Sequence, residues 1–279
     1  MTLPRWWVLL TRFLAMLLVV VAVLLIGADI LRYPLTSDLH AFLWGAEQIS
    51  EGQTPYGPIP GTQLRYLYAP WLGVALIPAT WLPFEVFAVI WHAILGICAG
   101  VSIWPLLRER RLEATLAAVL LGTALFHSVW AGHFQPIMVA LLVVGLPTRW
   151  GPVAIGVAAS LKVTPIVLCV LYAGRGEWRK MAIAVAVAAI LWAPALIFDL
   201  SGYGIGVMQS HSLLGHSSVA WGIVALVTLV AAWRLAPTRY GWLAAATFWM
   251  AVLPRMILYD IGSLAVGVRA PEPPPARPG

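Results

Sequence analysis

The run at residues 6–30 limits the possible folds more than any other part of the chain. It is apolar except for Thr11, Arg12 and, near its end, Asp29, and at about 1.5 Å per residue it can cross a hydrocarbon core of about 30 Å. The whole chain is 61% hydrophobic and 10% charged, whereas soluble domains are about a quarter charged. The sequence therefore predicts an integral membrane protein. The run is too long for a signal-peptide core, so we interpret it as the first membrane helix.

Basic residues give a prediction of topology. The net charge of +6 comes almost entirely from arginine, and in a membrane protein such an excess marks cytoplasmic loops, so we do not expect nucleic-acid binding. "RERR" at 108–111 is the strongest cytoplasmic signal, and Arg12 lies before the centre of the first run. Hydropathy then predicts an all-α polytopic bundle of about seven or eight transmembrane helices. We expect one domain at 1–268 and a disordered Pro-rich tail at 269–279.

The first extracytoplasmic loop, residues 31–68, carries an acidic amphipathic stretch. Ser37 is placed to cap a helix that begins at Asp38. One face of this helix is apolar and consists of Leu39, Phe42, Leu43, Ala46 and Ile49. Such a pattern is typical of a helix lying on the membrane surface. Residues 68–83 are apolar but interrupted by prolines, and they predict a second interfacial helix.

The segment at 151–174 has two possible interpretations. Lys162 lies at its middle, and basic residues lie at both of its ends, at Arg149 and Arg175. If both ends are cytoplasmic, the segment is a re-entrant hairpin with Lys162 near the tip. If it crosses the membrane once, one of the basic clusters breaks the positive-inside rule.

On this topology the unusual polar residues collect on the outer side. Ionisable groups at membrane depth are costly, which makes them functional candidates. Arg and Lys can hold a phosphate, a carboxylate can accept a proton from an attacking hydroxyl, and Gln, His and Tyr can bind sugar hydroxyls. A reaction on a lipid phosphate and a polyol fits this set. The residues are Asp38, Arg65, Tyr66, Tyr68, His133, Gln135, Lys162, Gln209, Ser210, His211, His216, Arg255, Tyr259 and Asp260.

Several short motifs occur in a particular order along residues 1–262. They are "SDLHAFLWGAEQISEGQTPYG", "RYLYAPWLGVALIPATWLP", "GHFQPIMVALLV", "GVAASLKVTPIVL", "VMQSHSLLG" and "LPRMILYD". This order resembles the GT-C membrane glycosyltransferases, and in particular glycosyltransferase family 87, the polyprenyl-phosphate-dependent mannosyl- and arabinofuranosyltransferases. Two departures from the family pattern are Met208, which replaces an Asn, and a chain shorter than a typical member.

The resemblance implies an inverting transfer of mannose or arabinofuranose. The donor would be a polyprenyl-monophosphate sugar, and the acceptor a hydroxyl of a glycolipid or polysaccharide. Asp38 would be the general base, and the dipole of its helix would favour the ionised form. Lys162, Arg255 and His211 would bind the donor phosphate. The other substrate contacts would be Tyr66, Tyr68, His133, Gln135, Gln209, Ser210 and Asp260.

No metal or other cofactor is expected, and the enzyme would lie in a bacterial cytoplasmic membrane with its site on the extracytoplasmic side. Three alternatives stay open. Asp29 could be the key acid in place of Asp38. The protein could be a transporter of a lipid-linked sugar, with Lys162 in a broken helix. It could also be a non-catalytic partner of a longer glycosyltransferase.

Overall fold

The computed structural model describes residues 5–32, 34–62, 64–204 and 211–268. These residues form α-helices and short 3-10 helices and no strand, which confirms the all-α prediction. The 3-10 helices are Ile77–Trp81, Thr164–Leu168, Ala193–Ile197, Leu213–Gly215 and Leu258–Val266. The α-helices are α1 (Arg5–Ile30), α2 (Ser37–Ser50), α3 (Pro70–Leu76), α4 (Phe84–Arg108), α5 (Leu112–Ala131), α6 (Gln135–Gly145), α7 (Gly151–Leu161), α8 (Cys169–Gly174), α9 (Trp178–Trp192), α10 (Ser218–Leu235) and α11 (Gly241–Ala251).

Among the described residues, five helices are long and apolar enough to cross a membrane. They are α1, α4, α5, α9 with its 3-10 extension, and α10. The protein is therefore an integral membrane protein, as predicted. The predicted count of seven or eight crossings is not confirmed, because α6, α7 and α11 have 11 residues each. A helix of that length reaches only about 16 Å. The single domain at 1–268 stays a prediction, and the tail at 269–279 lies outside the described residues.

The segment around Lys162 is a hairpin that returns to the level where it began. Helix α7 ends at Leu161, and Lys162 is extended, with φ −145° and ψ 119°. The chain then runs back through a 3-10 turn and α8. A Cβ placed on Gly151, at the start of α7, would lie 2.8 Å from the Tyr172 hydroxyl, near the end of α8. Because the two ends meet, the geometry supports the re-entrant interpretation, with Lys162 at the tip.

The apolar face of α2 packs on protein, where the sequence analysis expects a membrane surface. Leu39, Phe42 and Ala46 have no exposed side-chain area and belong to the main apolar core. Gly45 leaves the space that the Tyr66 ring fills, since a Cβ there would lie 2.2 Å from that ring. An amphipathic pattern shows which face is buried, but the partner here is the rest of the bundle.

Two details of the first loop also differ from the sequence prediction. Helix α2 begins one residue early, at Ser37, and its N-cap is Thr36 without a side-chain cap bond. The Ser37 hydroxyl is buried and has no hydrogen-bond partner, so the predicted cap is wrong. The second predicted helix, at 68–83, divides into α3 and the 3-10 helix Ile77–Trp81, because Pro78 removes an amide donor that a continuous α-helix needs.

The turn after α5 holds the start of α2 in place. Gly132 has φ +73° and lies so close to α2 that a Cβ there would be 3.1 Å from the Leu39 Cβ. The backbone amide of Thr36 donates to the Trp130 carbonyl over 3.1 Å. Thr36 itself has φ +62°, a conformation that a β-branched residue rarely adopts. The N-terminus of α2, which carries Asp38, is thus fastened to the C-terminus of α5.

Candidate functional site

Asp38 lies in the first turn of α2, close enough to Arg255, Lys162 and Asp260 for their charges to act on its carboxylate. We call this group of charged residues and the aromatic residues around it the pocket. The Asp38 carboxylate makes no hydrogen bond or ion pair with the described part of the chain. Burial raises the pKa of this carboxyl from 3.8 to about 6, although the positive charges of Arg255 and Lys162 oppose the rise. The helix dipole, which the sequence analysis expects to favour ionisation, is outweighed by the loss of water. Asp38 is therefore a carboxylate with the basicity needed to accept a proton.

Arg255 and Lys162 are the two cations whose charges act on Asp38. Arg255 follows the short helix α11, and its Nε atom is buried without a hydrogen-bond partner. A buried guanidinium nitrogen without a partner is costly, and an anion in the pocket would satisfy it. The structure thus brings together Asp38, Lys162 and Arg255, which the sequence analysis places in one pocket.

Lys162 forms an ion pair with Asp260. Its Nζ donates to Oδ1 of Asp260 at 2.5 Å, across 98 positions of sequence. The same ammonium lies 5.7 Å from the centre of the Tyr259 ring, within cation–π range. A lysine deep in an apolar bundle requires such a partner. The positive charge of Lys162 is therefore largely neutralised by Asp260.

Aromatic rings line the side of the pocket near α2 and α5. The Tyr68 ring lies 4.7 Å from Phe134 and 5.0 Å from Phe42, both edge to face. The rings of His133 and Tyr259 are stacked at 4.7 Å. Burial raises the pKa of the Tyr68 phenol well above its usual value, and the negative charge of Asp38 raises it further. Tyr68 is therefore a neutral hydrogen-bond donor beside the carboxylate.

His133 is a neutral donor as well. Its Nδ1 accepts the Gln135 amide N–H at 3.0 Å, so the ring proton lies on Nε2. Burial lowers the pKa of His133 well below its usual value, and the charges of Lys162 and Arg255 lower it further. His133 can donate to a sugar oxygen, but it does not add positive charge to the pocket.

An apolar groove begins beside the hairpin tip. It has a volume of about 490 Å³ and lies between the hairpin and α9. Val163, the neighbour of Lys162, lines it together with Ile166, Ala188, Trp192 and Tyr203. Because Val163 is the sequence neighbour of Lys162, this hydrocarbon-like surface lies near the hairpin tip that carries the cation.

Several predicted site residues have structural roles here. Tyr66 is fully buried, and its hydroxyl donates to the Ala69 carbonyl at 3.0 Å and accepts from the Gly73 amide at 2.9 Å. Gln135 is also fully buried, and its side-chain amide donates to the Ser263 hydroxyl. The contacts of Tyr66 leave it little capacity for a substrate, whereas the Gln135 Oε1 is buried without a hydrogen-bond partner among the described residues. His211 is exposed, and its backbone amide bonds the Met256 carbonyl at 2.8 Å. Gln209 and Ser210 lie outside the described residues.

The structure places Tyr259, a candidate to which the sequence gave no individual role, and Asp29, the alternative acid. Tyr259 lies between His133 and His127, with ring centres 4.7 and 5.5 Å away. His127 in turn lies 3.8 Å from the Asp29 carboxylate. Asp29 thus lies against α5, and it is not among the charged groups that act on Asp38 together with Arg255 and Lys162. The motif "LYD", in which Tyr259 precedes Asp260, could have indicated that Tyr259 lies at the site.

The described residues contain no group of three or more His, Cys, Asp or Glu side chains that could hold a metal ion. The expectation that the protein needs no cofactor stays a prediction.

Comparison with known proteins adds independent information. The profile described as "Glycosyltransferase family 87" matches residues 66–204. That range contains Tyr68, His133 and Lys162, whereas Asp38 and Arg255 lie outside it. No solved structure matches the chain significantly.

Two curated relatives share the name polyprenol-phosphate-mannose-dependent alpha-(1-2)-phosphatidylinositol pentamannoside mannosyltransferase. The protein from Mycolicibacterium smegmatis is 29% identical over 172 residues, which cover 54% of this chain and 40% of the relative. The protein from Mycobacterium tuberculosis is 25% identical over 169 residues, which cover 54% of this chain and 39% of the relative. The chain thus spans about two fifths of the length of the curated relatives it matches.

Proposed function

The chain belongs to glycosyltransferase family 87, and on that premise we propose that it transfers mannose from a polyprenyl-phosphate donor to a lipid-linked acceptor. The observation that carries the proposal is the half-buried Asp38 carboxylate, which has no partner in the described residues, in one pocket with Arg255 and Lys162. The names of the two relatives support a polyprenol-phosphate-mannose donor and a phosphatidylinositol-based acceptor.

In the reaction, the acceptor oxygen attacks the anomeric carbon while the bond from that carbon to the phosphate oxygen breaks. Asp38 takes the hydroxyl proton as general base. The bonding electron pair leaves with the phosphate, which changes from a diester with one negative charge to a monoester with up to two. Attack from the face opposite the phosphate inverts the configuration at the anomeric carbon.

Arg255 is placed to stabilise the charge that develops on the phosphate. Its guanidinium presents planar N–H donors that suit phosphate oxygens. Lys162, at the hairpin tip, supports the same phosphate, while the neutral Tyr68 and His133 donate to sugar hydroxyls. The apolar groove beside Val163 would hold the start of the polyprenyl chain, since hydrocarbon gains free energy by leaving more polar surroundings.

The site would face the extracytoplasmic side of a bacterial cytoplasmic membrane. Helix α4 ends at Arg108, and α5 returns from Arg111 to His133 at the site. Helix α7 starts after Arg149 and ends beside Lys162, and α10 runs from near His211 to Arg234. The basic residues thus lie at the helix ends opposite the pocket, and basic ends favour the cytoplasm.

The test is transfer of labelled mannose from polyprenyl-phosphate mannose in membranes that contain the full chain. We expect wild-type protein to label a lipid acceptor, and Asp38→Asn to abolish the label while the protein level is unchanged. Glu47→Gln, an exposed acid on the same helix, is the matched control and should retain activity. A fully active Asp38→Asn variant would refute the proposed role of this carboxylate.

A further inference from the structure

Both carboxylate oxygens of Asp260 are already used by the protein. Oδ1 accepts from the Lys162 ammonium at 2.5 Å, and Oδ2 accepts from the Ile257 backbone amide at 3.0 Å. The residue is 2% exposed. A substrate hydroxyl therefore has little access to it, which argues against the substrate contact that the sequence analysis assigns to Asp260.

These contacts join parts of the chain that are far apart in sequence. Lys162 lies at the hairpin tip between α7 and α8, and Ile257 lies two residues after Arg255. The Met256 carbonyl, between them, accepts the backbone amide of His211 over 2.8 Å. The Asp260 carboxylate thus holds the hairpin tip and the turn at Arg255 together. Through the Met256 carbonyl, that turn also binds the start of the segment at 211–217.

The charges in the pocket divide into two unequal sets. Lys162 and Asp260 satisfy each other, and a paired lysine has a defined position that a free one in an apolar bundle lacks. Arg255 has a buried Nε without a partner, and Asp38 is not bonded to the described residues. Arg255 and Asp38 therefore keep capacity for new partners, whereas the Asp260 carboxylate is used up in holding Lys162 and the Ile257 amide.

We propose that Asp260 is a positioning residue for the phosphate half of the site: it fixes the Lys162 ammonium at the hairpin tip and fastens the turn that carries Arg255, without itself contacting substrate. This inference rests on the proposed function, because it assigns the phosphate of that donor to Lys162 and Arg255. If Asp260 instead contacted the substrate directly, the effects of changing Asp260 and Lys162 would be independent of each other.

The first test is a double-mutant cycle in the mannose-transfer assay. We expect Asp260→Asn and Lys162→Met each to raise the donor KM by about 10- to 100-fold, the range typical of partners that orient a binding group. The double variant should be little worse than the poorer single variant, because both changes remove one shared interaction. Asp260→Glu, which keeps the charge, should restore part of the affinity. Fully additive single effects would overturn the inference.

The matched control is Asp199→Asn. The Asp199 carboxylate also accepts a backbone amide, that of Ser201, at 2.8 Å, but it is exposed. The same chemical change there should leave the donor KM unchanged. If Asp260→Asn behaves like this control, the inference is refuted.

The second readout is the pH profile of transfer in Asp260→Asn and Lys162→Met. If these residues only stabilised the fold, the two changes would not shift the profile in opposite directions. The charged groups that act on Asp38 are Arg255, Lys162 and Asp260. The Tyr68 and Tyr259 phenols lie near it, and the His133 ring stacks on Tyr259. Removing the negative charge of Asp260 should lower the pKa of Asp38, and removing the positive charge of Lys162 should raise it. The acid limb of kcat/KM should therefore move to lower pH in Asp260→Asn and to higher pH in Lys162→Met. Shifts in the same direction contradict the inference.

Failure of this inference can be told apart from failure of the proposed function. Wild-type transfer together with an unaltered donor KM in Asp260→Asn overturns the inference alone. If the wild-type protein transfers no mannose, the proposed function fails, and binding of polyprenyl phosphate in nanodiscs then decides the inference. Asp260→Asn should weaken that binding relative to both wild type and Asp199→Asn, and equal binding in all three overturns it.

Discussion

Replacing Asp38 by Asn should make the protein more stable at neutral pH while it abolishes transfer. The two carboxylate oxygens of Asp38 form no bond with the described residues, and burial is the main cause that raises its pKa from 3.8 to about 6. Ionised Asp38 is therefore held in surroundings that favour its neutral form. Asn has nearly the same shape and carries no charge, so it removes that cost.

The size of the effect follows from the shift in pKa. The rise is about two units, and one unit corresponds to about 1.36 kcal/mol, which gives about 3 kcal/mol at full ionisation. This figure already includes the attraction of Arg255 and Lys162, because both oppose the shift. For a chain of this size, about 3 kcal/mol corresponds to a rise in melting temperature on the order of 5–10 °C.

The pH dependence has a definite sign. A carboxyl with a higher pKa in the folded than in the unfolded state binds more protons when folded, between pH 3.8 and about 6. Below that window it is neutral in both states and costs nothing, whereas above it the folded state bears the whole cost. The advantage of Asp38→Asn should therefore be full at pH 8 and nearly gone at pH 4.

The assay is thermal melting of purified wild type, Asp38→Asn and the exposed-acid control Glu47→Gln in one detergent at both pH values. At each pH, the melting temperature of the wild type is subtracted from that of the variant. The readout is how much this difference changes from pH 4 to pH 8, since effects that do not depend on pH cancel. An Asp38→Asn variant that melts no higher than wild type at pH 8 would show that Asp38 is not held against ionisation. Equal gains at both pH values would show the same.

Three further predictions concern the scaffold and the groove. Gly45→Ala should lower the melting temperature, because a Cβ there lies 2.2 Å from the Tyr66 ring and overpacking typically costs about 1–3 kcal/mol; Gly27→Ala, with open space around its Cα, should not lower it. Gly132→Ala should lower the free energy of unfolding by about 1–2 kcal/mol because of the unfavourable positive φ. It should also reduce kcat, because Gly132 packs on the start of α2. A kcat equal to that of the wild type would contradict this. Ala188→Trp, in the groove, should raise the KM for a long-chain donor, whereas Ala186→Trp, exposed on the same helix outside the groove, should not; equal KM values in both variants would exclude the groove as the chain site.

The membrane helices could be read from the sequence because their signal is local. The predicted first membrane helix at 6–30 coincides within one residue with α1 (Arg5–Ile30). A long apolar run between charged ends has few alternatives to a membrane helix. The short helices α6, α7 and α11 are as apolar as the membrane-spanning helices but are too short to cross a membrane. For this reason, hydropathy could not settle the number of crossings.

The site was only partly predictable, because its key contacts join distant segments. Sequence reasoning placed Asp38, Lys162 and Arg255 on one side, and charge and topology were sufficient for that. The pairing of Lys162 with Asp260 spans 98 positions and depends on how the hairpin packs against the last 3-10 helix. The packing role of Tyr66 could not be predicted either, since a packing tyrosine and a substrate-binding tyrosine look alike in a single sequence.

The arrangement of charges explains why Arg255 and Asp38 lie in one pocket without bonding to each other. In the proposed reaction, Asp38 loses a negative charge as it takes the proton, and the phosphate gains one as its bond to the sugar breaks. The total charge of the pocket is then unchanged, and the negative charge moves from the acid toward the cations. A direct ion pair between Arg255 and Asp38 would stabilise the ionised acid before the reaction and weaken it as a base, whereas a guanidinium held free for the phosphate stabilises the charge where it arrives. The pairing of Lys162 with Asp260 contributes to the same end, because it satisfies the second acid without using Arg255.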